Sequence, residues 1–207
     1  MSAALGTMNT ALPAPPSPKA QIGMDFYHAR RYADALNCWK LVADTDSSAQ
    51  AWMGMCYKEG HGVEINSHEA LKWLRKGAAQ GNAAAQSMLG DCFREGFGVN
   101  RSLKSAARWY RMAAEQGEDN AEYALGICYL RGEGVVRCLA DAVVLLELAA
   151  SRDHAQAQFM LGQLHEAGLG FPCSYESALE LVQLAGYQGL PEALAWLEVH
   201  NQSSTMT

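Results

Sequence analysis

The sequence predicts an all-α solenoid built from 36-residue helix pairs. Three observations predict it: glycines recur every 36 residues, an alanine recurs at the same step, and each unit carries two helical stretches separated by a Gly-x-Gly turn. With 207 residues, 49% of them apolar and 18% charged, the chain is long enough and apolar enough to bury a core.

Four columns of small residues keep the 36-residue step over four copies. The columns are Gly54, Gly90, Gly126 and Gly162; Gly60, Gly96, Gly132 and Gly168; Gly62, Gly98, Gly134 and Gly170; and Ala70, Ala106, Ala142 and Ala178. A period of this length, held in register, is typical of helical repeat proteins.

Each unit is predicted to form two helices, and the first has a glycine at its centre, as in Met53-Gly54-Met55-Cys56-Tyr57. A glycine inside a helix costs about 1 kcal/mol relative to alanine. The same cost at one position of every repeat indicates that another helix comes close to the backbone there. We expect that helix to be the second helix of the same unit, with the alanine column at the contact.

A Gly-x-Gly turn separates the two helices, because glycine tolerates the positive φ of a helix C-terminus. It is not a dinucleotide-binding loop, since the third glycine of that motif is missing and no strand precedes it. Asn66, Ser102 and Ser174 then occupy N-cap positions, and Glu69 stands where a capping box would place it. Cys138 fills the remaining N-cap position, so that cap should be weaker. The second helices are predicted to end near Gly81, Gly117, Asp153 and Gly189.

The unit from Ala85 to Gly117 resembles the Sel-one-like repeat, a relative of the tetratricopeptide repeat. It matches the family pattern A-x-x-x-L-G-x-x-Y-x-x-G-x-G-V, followed by A-x-x-W-Y-x-x-A-A-x-x-G, with Phe93 at the tyrosine position. Later units depart from the pattern at Leu145, Leu181 and His165. The resemblance covers about residues 48–189. It implies a right-handed α/α superhelix that serves as a protein-binding scaffold.

We expect a single repeat domain at residues 18–200 between two disordered tails, 1–17 and 201–207. Prolines concentrated before residue 19 indicate a flexible or polyproline-like N-terminal tail, and whether it docks a partner stays open. Within the domain the sequence predicts a shorter, tetratricopeptide-like first pair at about 18–46, four repeats at about 48–189 and a capping helix at 191–200.

The partner-binding surface is expected on the concave wall, which the first helices of such a superhelix form. In the related tetratricopeptide architecture the wall is lined three residues before, one after and four after the glycine, positions that share one helix face. The candidate binding residues are Met55, Lys58, Asp91, Arg94, Tyr123, Ile127, Leu130, Phe159, Gln163 and Glu166, with Ala51 and Ser87 completing the wall. The four apolar members from Tyr123 to Phe159 either bind a partner or pack between helices.

The six cysteines are expected to be reduced and to titrate as free thiols in the denatured protein. Cys56, Cys92 and Cys128 occupy one position in successive repeats. Packed helices lie about 8–10 Å apart, whereas a disulfide needs Cα atoms within about 7 Å, so a buried small residue is the better interpretation. The spacing of cysteines and histidines indicates no metal site, and His61 and His68 are interpreted as solvated loop residues.

Composition and motifs narrow the function. The net charge of -6 and the pI near 5.5 argue against nucleic-acid binding, and no apolar run reaches the roughly 18–20 residues of a membrane span. The N-terminus lacks the basic start of a secretory signal, which predicts a cytoplasmic protein. The motifs of nucleophilic, phosphate-binding and zinc enzymes are missing, so no enzyme, cofactor or metal is predicted. We expect an adaptor that holds a peptide segment or helix of a partner protein, as a monomer or weak homo-oligomer; the alternative is a structural, self-assembling solenoid.

Overall fold

The structure is a computed structural model that describes residues 17–204, with side chains described as far as residue 200. The predicted N-terminal tail lies outside the described residues except for Ser17, and residues 205–207 of the C-terminal tail also lie outside them. The residues between 200 and 205 continue the last helix.

Within residues 17–204 the chain forms α-helices and no strands, which confirms the predicted fold class of tandem helix pairs. The helices are α1 (Pro18–His28), α2 (Tyr32–Lys40), α3 (Ser47–Glu59), α4 (Ser67–Ala79), α5 (Ala83–Glu95), α6 (Leu103–Ala114), α7 (Asp119–Arg131), α8 (Leu139–Ser151), α9 (Ala155–Ala167), α10 (Tyr175–Tyr187) and α11 (Pro191–Ser204).

The chain divides into two compact units, Met1–Ala85 and Gln86–Thr207. In the first unit α1 packs against α2, and α3 packs against α4. In the second unit α7 packs against both α6 and α8, α9 packs against α8 and α10, and α11 packs against α10. Each helix therefore contacts mainly its neighbours along the chain, as tandem repeats do.

The turn inside each helix pair depends on two glycines, and the pair at Gly132 and Gly134 shows why. Gly132 ends α7 in the left-handed conformation, with φ of 72°, and its N–H donates to the carbonyl of Cys128. Gly134 also has a positive φ, 74°, and a Cβ there would collide with the backbone carbonyl of Leu103. The first glycine is needed for its conformation, and the second also for the closeness of the neighbouring helix.

The N-caps of the second helices are confirmed, but the capping box is wrong. Asn66 Oδ1 accepts from the Glu69 N–H at 3.1 Å, and Ser102 and Ser174 cap in the same way. The Glu69 carboxylate does not reach back to the Asn66 N–H. It binds Lys72 and the Trp73 indole instead. The reason is that the Asn66 N–H already donates to the carbonyl of Tyr57 in the preceding helix, at 2.9 Å.

The fourth second helix, α8, lacks a side-chain cap, as predicted for Cys138. The backbone bond is nevertheless kept, because the Cys138 N–H donates to the Tyr129 carbonyl at 3.1 Å. The same bond joins Ser102 to Phe93 and Ser174 to His165. This bond therefore fixes the loop between the helices of a pair in every repeat, whether or not the cap is present.

The glycine column lies against the second helix of the same pair, as predicted. A Cβ placed on Gly126 would lie 3.1 Å from Leu146 Cγ and 3.3 Å from the carbonyl oxygen of Ala142. Gly54 and Gly162 approach the equivalent alanine carbonyls in the same way, and Gly90 lies against the ring of Tyr110. In three of the four repeats the alanine carbonyl is therefore the backbone group of the second helix that lies against the glycine.

In the first helix pair, whose helices are shorter, a glycine of the first helix also packs against the second helix. Gly23 of α1 packs against the indole of Trp39 in α2, and the Trp39 Nε1 donates to the Ala20 carbonyl at 3.0 Å. The loop after α3 folds onto this pair. The expectation that His61 is a solvated loop residue is wrong, because its Nδ1 lies 2.8 Å from the Tyr27 hydroxyl and its ring stacks on Tyr32.

The last helix covers the end of the second unit. Trp196 and Leu197 of α11 pack against a buried cluster of Val182, Ala185 and Ala193, as the sequence indicated. The helix extends to Ser204, past the predicted end at residue 200.

Replacing Gly126 with valine is expected to lower the free energy of unfolding by about 1–3 kcal/mol, because the branched side chain overpacks the contact with Leu146 and Ala142. Urea denaturation followed by circular dichroism measures the change. The matched control is Gly126→Ala, which adds only a Cβ and gains about 1 kcal/mol of helix propensity, so it should cost less. An unchanged melting temperature for Gly126→Val would contradict the close contact.

Candidate binding cleft in the second unit

In the first unit the predicted wall positions are largely covered. Ala51 is buried, and Met55 and Lys58 are half-buried. The Lys58 ammonium lies 2.9 Å from a carboxylate oxygen of Glu59. These positions therefore offer little apolar surface to a partner.

In the second unit the predicted wall borders a cleft of about 320 Å³. From the predicted set the cleft brings together Asp91 and Arg94 of α5 with Tyr123 and Ile127 of α7. Ser87, which completes the predicted wall, lines the cleft as well. The other lining residues are Asn120, Ala124, Cys128, Arg131, Glu133, His154 and Gln156. This volume is at the lower end of the range of about 300–1,000 Å³ found for ligand sites. The cleft suits one or two side chains.

Arg94 is fixed at the edge of the cleft by a buried tyrosine of α6. Its Nε donates to the Tyr110 hydroxyl at 3.0 Å, and the hydroxyl donates to Asp91 Oδ1 at 2.7 Å. A second guanidinium nitrogen lies 3.1 Å from the same carboxylate oxygen. Burial disfavours the charged guanidinium, but the bonds to Tyr110 and Asp91 outweigh it and hold the pKa of Arg94 above its usual range. Arg94 is therefore a permanently charged and immobilised donor.

Tyr123 and His154 form the aromatic wall of the cleft. Their rings stack with centroids 4.8 Å apart. The His154 Nδ1 accepts from the Ala157 N–H, which caps α9 and assigns the ring proton to Nε2. Burial raises the pKa of Tyr123, and burial also lowers the pKa of His154, although Asp119 opposes it. Both rings thus favour the neutral form. The stacking contact with His154 holds the Tyr123 ring in place.

The remaining predicted residues lie elsewhere, so the apolar quartet is divided. Leu130 packs against the core of α8 and α9, and Phe159 packs against the core of α10 and α11. Glu166 accepts from the Trp196 indole of α11 at 3.1 Å, and Gln163 is exposed. Within the quartet, Tyr123 and Ile127 line the cleft and the other two do not. Tyr123 also packs against the core of α8 and α9, as Leu130 does.

His154 is the main cleft residue that the sequence analysis missed, and the repeat held a signal for it. It belongs to a column of first-helix N-caps spaced by 36 residues: Asp46, Asn82, Glu118 and His154. Each side chain accepts from the N–H three residues on. The column escapes a search for identical residues, because four different side chains supply the same acceptor.

Burial sets the chemistry of the repeated cysteines. Cys56, Cys92 and Cys128 are buried, as predicted, and burial raises the pKa of the Cys56 thiol to about 12. Burial, with a contribution from Glu133, raises the pKa of Cys128 to about 11. Such thiols are protonated at neutral pH and react slowly. Among residues 17–204 no group of three or more His, Cys, Asp or Glu side chains is placed to hold a metal ion.

A comparison with protein families identifies the repeat. The Sel1 repeat profile matches residues 47–82, 83–118, 119–154 and 155–190, which together exceed half of the chain. The chain belongs to the Sel1 repeat family. This confirms the resemblance inferred from the sequence, and each matched segment contains one complete helix pair.

Solved structures of other Sel1 proteins resemble the chain over most of its length. A Sel1 repeat protein from Oxalobacter formigenes is 30% identical over 86% of this chain and 71% of its own, with a TM-score of 0.75. A protective antigen of uropathogenic Escherichia coli with an SLR fold is also 30% identical over 86% of this chain, with a TM-score of 0.70. This chain spans only 39% of that antigen.

A further structure shares only the fold. An immunity protein from Pseudomonas aeruginosa is 21% identical, with 87% of this chain and 70% of its own covered and a TM-score of 0.64. No curated protein matches the chain.

The Sel1 family is associated with one broad kind of function. Sel1 repeats are commonly protein-interaction scaffolds, and their solenoids are generally non-catalytic. No helix of the part that the structure describes is long and apolar enough to cross a membrane.

The Sel1 repeats of this chain also share a polar pair, one member of which is buried, that the sequence analysis did not use. Four buried residues lie four positions before the glycines: Gln50, Gln86, Glu122 and Gln158. Each is bonded to a residue thirty positions later, respectively Gln80, Gln116, Arg152 and Gln188. In three repeats the pair joins two amides, and in one it joins a carboxylate to a guanidinium. Where the buried glutamine is replaced by a glutamate, its partner is replaced by an arginine, because a buried polar group needs a complementary one.

Replacing Arg152 with glutamine is expected to lower the free energy of unfolding by about 2–3 kcal/mol, because Glu122 keeps a buried charge without its cation. The double variant Glu122→Gln/Arg152→Gln recreates the amide pair of the other repeats and should recover most of the loss. Urea denaturation at neutral pH gives both values. A double variant no more stable than Arg152→Gln would show that the two side chains are not coupled.

The free energy of unfolding is expected to fall as the pH rises from about 9 to about 10 in reducing buffer. In this window Cys56 and Cys128 ionise in the unfolded chain but stay protonated in the folded one, so rising pH favours unfolding by up to about 1.4 kcal/mol per thiol per pH unit. Urea titrations across the window measure the slope. The variant Cys56→Ala/Cys128→Ala should show a clearly shallower slope, and an equal slope would contradict the assignment.

Proposed function

We propose that this Sel1 repeat protein is an adaptor that holds an extended or helical segment of a partner protein in the cleft of its second unit. One observation carries the proposal: the cleft joins residues of three first helices and sets a half-exposed tyrosine and isoleucine beside fixed polar groups. The scaffold role common among Sel1 repeats supports it.

Tyr123 is the proposed anchor of the interaction. Binding energy at protein interfaces is concentrated in a few residues, among which tyrosine is enriched. The stack on His154 holds the Tyr123 ring before a partner arrives, which lowers the entropy lost on binding. Ile127 lies one helical turn further along α7 and lines the same cleft. An aliphatic or aromatic side chain of the segment would contact both residues.

The polar residues of the cleft suit a segment of mixed rather than uniform charge. Arg94 and Asp91 are already bonded to each other, and Arg131 lies 3.7 Å from a carboxylate oxygen of Glu133. Neither sign of charge dominates the cleft. Such groups fix the register and orientation of a bound segment more than they add to its affinity.

Replacing Tyr123 with alanine is expected to weaken binding of a cleft ligand at least about tenfold, or about 1.4 kcal/mol, because the aromatic anchor is lost. Peptides selected from a random phage-displayed library on the wild-type protein supply the ligand, and calorimetry measures their dissociation constants. The matched control is Tyr129→Ala, which removes a tyrosine of the same helix that does not line the cleft.

A comparison of stability with binding completes the test. Phe159→Ala should lower the free energy of unfolding, because Phe159 packs on the core of α10 and α11, while binding is kept. If selected peptides bind Tyr123→Ala as tightly as the wild type, or if no peptide is enriched, the cleft is not the binding surface. If Tyr123→Ala itself unfolds the protein, Tyr123 is a core residue and loses its role as the anchor.

A further inference from the structure

The exposed faces of the second helices in the second unit change in chemistry from one helix to the next. We call these faces together the outer face. The residues that define it are Lys104 and Arg108 on α6, Val144 and Leu148 on α8, and Glu176 and Glu180 on α10, all of them exposed. These residues run from basic through apolar to acidic, and α8 also exposes Asp141 and Glu147 on either side of its apolar residues.

Shared grooves join these three helix faces to one another. Lys104 and Arg108 border a groove together with Asp141 of α8, and Leu184 of α10 borders a second groove together with Glu147 of α8. Because the repeat has a period of 36 residues, Arg108, Val144 and Glu180 occupy equivalent positions, as the sequence numbering shows. The basic helix α6 and the acidic helix α10 thus each share a groove with α8.

Within the part of the chain that the structure describes, the charged side chains of the outer face are not paired, and its apolar side chains are not covered. Among the described residues, none of the four charged side chains of the outer face forms an ion pair. Val144 and Leu148 remain 55% and 42% exposed. A partner surface that complements this order must present acidic, apolar and basic strips in sequence. The outer face of a second copy presents its strips in this order when that copy is rotated by half a turn about an axis parallel to the helices.

We propose that the outer face is a two-fold interface with a second copy of this chain, in which α8 packs against α8 of the second copy. A two-fold axis parallel to α8 places the basic α6 of each copy opposite the acidic α10 of the other. An axis perpendicular to the helices would instead place α6 against α6, with like charges opposed. Charge complementarity therefore selects the first arrangement, a closed dimer with the same patch on both chains.

A second row of residues agrees with this arrangement. Met112, Leu148 and Leu184 are equivalent positions on the three helices, and each is more than 40% exposed. In the proposed dimer, Met112 meets Leu184 of the second copy, and Leu148 meets its own counterpart. The row therefore adds an apolar strip beside the charged pairs. Interfaces usually combine an apolar core with a polar rim in this way.

The dimer should be weak and sensitive to salt. Its charged pairs lie at the edge of the contact, where ions screen them, and the Debye length falls from about 10 Å at 0.1 M salt to about 3 Å at 1 M. Light scattering and sedimentation velocity of the full chain, over two decades of concentration and at both salt levels, measure the association. We expect a monomer–dimer equilibrium that weakens at the higher salt.

Charge reversal tests the pairing directly. Arg108→Glu and Glu180→Arg are each expected to weaken the homodimer at least about tenfold, because each brings like charges together twice. A mixture of the two single variants should associate again, since every pair across the two-fold axis then joins opposite charges. The control is Lys40→Glu, an exposed change of equal charge on α2 that should leave the association unchanged.

Val144→Glu tests the apolar strip, because it sets two carboxylates near the axis and should abolish the dimer at both salt levels. Circular dichroism of each variant confirms that the helices are intact. A wild-type chain that stays monomeric at every concentration overturns the proposal. So does a mass that grows without limit, or a dimer that both charge reversals leave intact.

Discussion

The contact on which the rest of the structure depends is the close approach of the second helix of a pair to the central glycine of the first, in three repeats through the backbone of the second helix. A glycine at the centre of the first helix lets the alanine carbonyl of the second come to within about a van der Waals distance of where a Cβ would be, as at Gly126 and Ala142. This fixes the relative position of the two helices in a pair. It also fixes which face of the first helix remains for other contacts.

Two hydrogen bonds, one of the backbone and one between side chains, keep the helices of a pair in register in successive repeats. The N–H of each second-helix N-cap donates to a carbonyl of the preceding helix, as Cys138 does to Tyr129 even without a capping side chain. The first helix of each of the four Sel1 repeats also buries one polar side chain, which is bonded to a residue thirty positions later. The bond tolerates chemical exchange, since Glu122 and Arg152 replace two glutamines, but both members must change together.

The packing of the helix pairs divides the surface of the second unit into faces with different roles. Tyr110 fills the space against Gly90, and its hydroxyl reaches through to hold Arg94 at the edge of the cleft. The packing of a helix pair therefore sets the geometry of the proposed peptide site. The exposed faces of the second helices are free of that constraint, which is why their chemistry can vary from Arg108 through Val144 to Glu180 while the fold is kept.

The sequence by itself determined the helix pairs, their turns and most of their caps, because each depends on residues within a few positions and the period repeats them. Only the tertiary structure decided which wall residues line the cleft. Tyr123 and Phe159 occupy the same repeat position, and each packs on a core cluster. Trp196 of the final helix joins the cluster on which Phe159 packs, whereas Tyr123 also lines the cleft. His61 is likewise covered by the first helix pair. Burial of this kind depends on residues distant in the chain, so local pattern alone does not encode it.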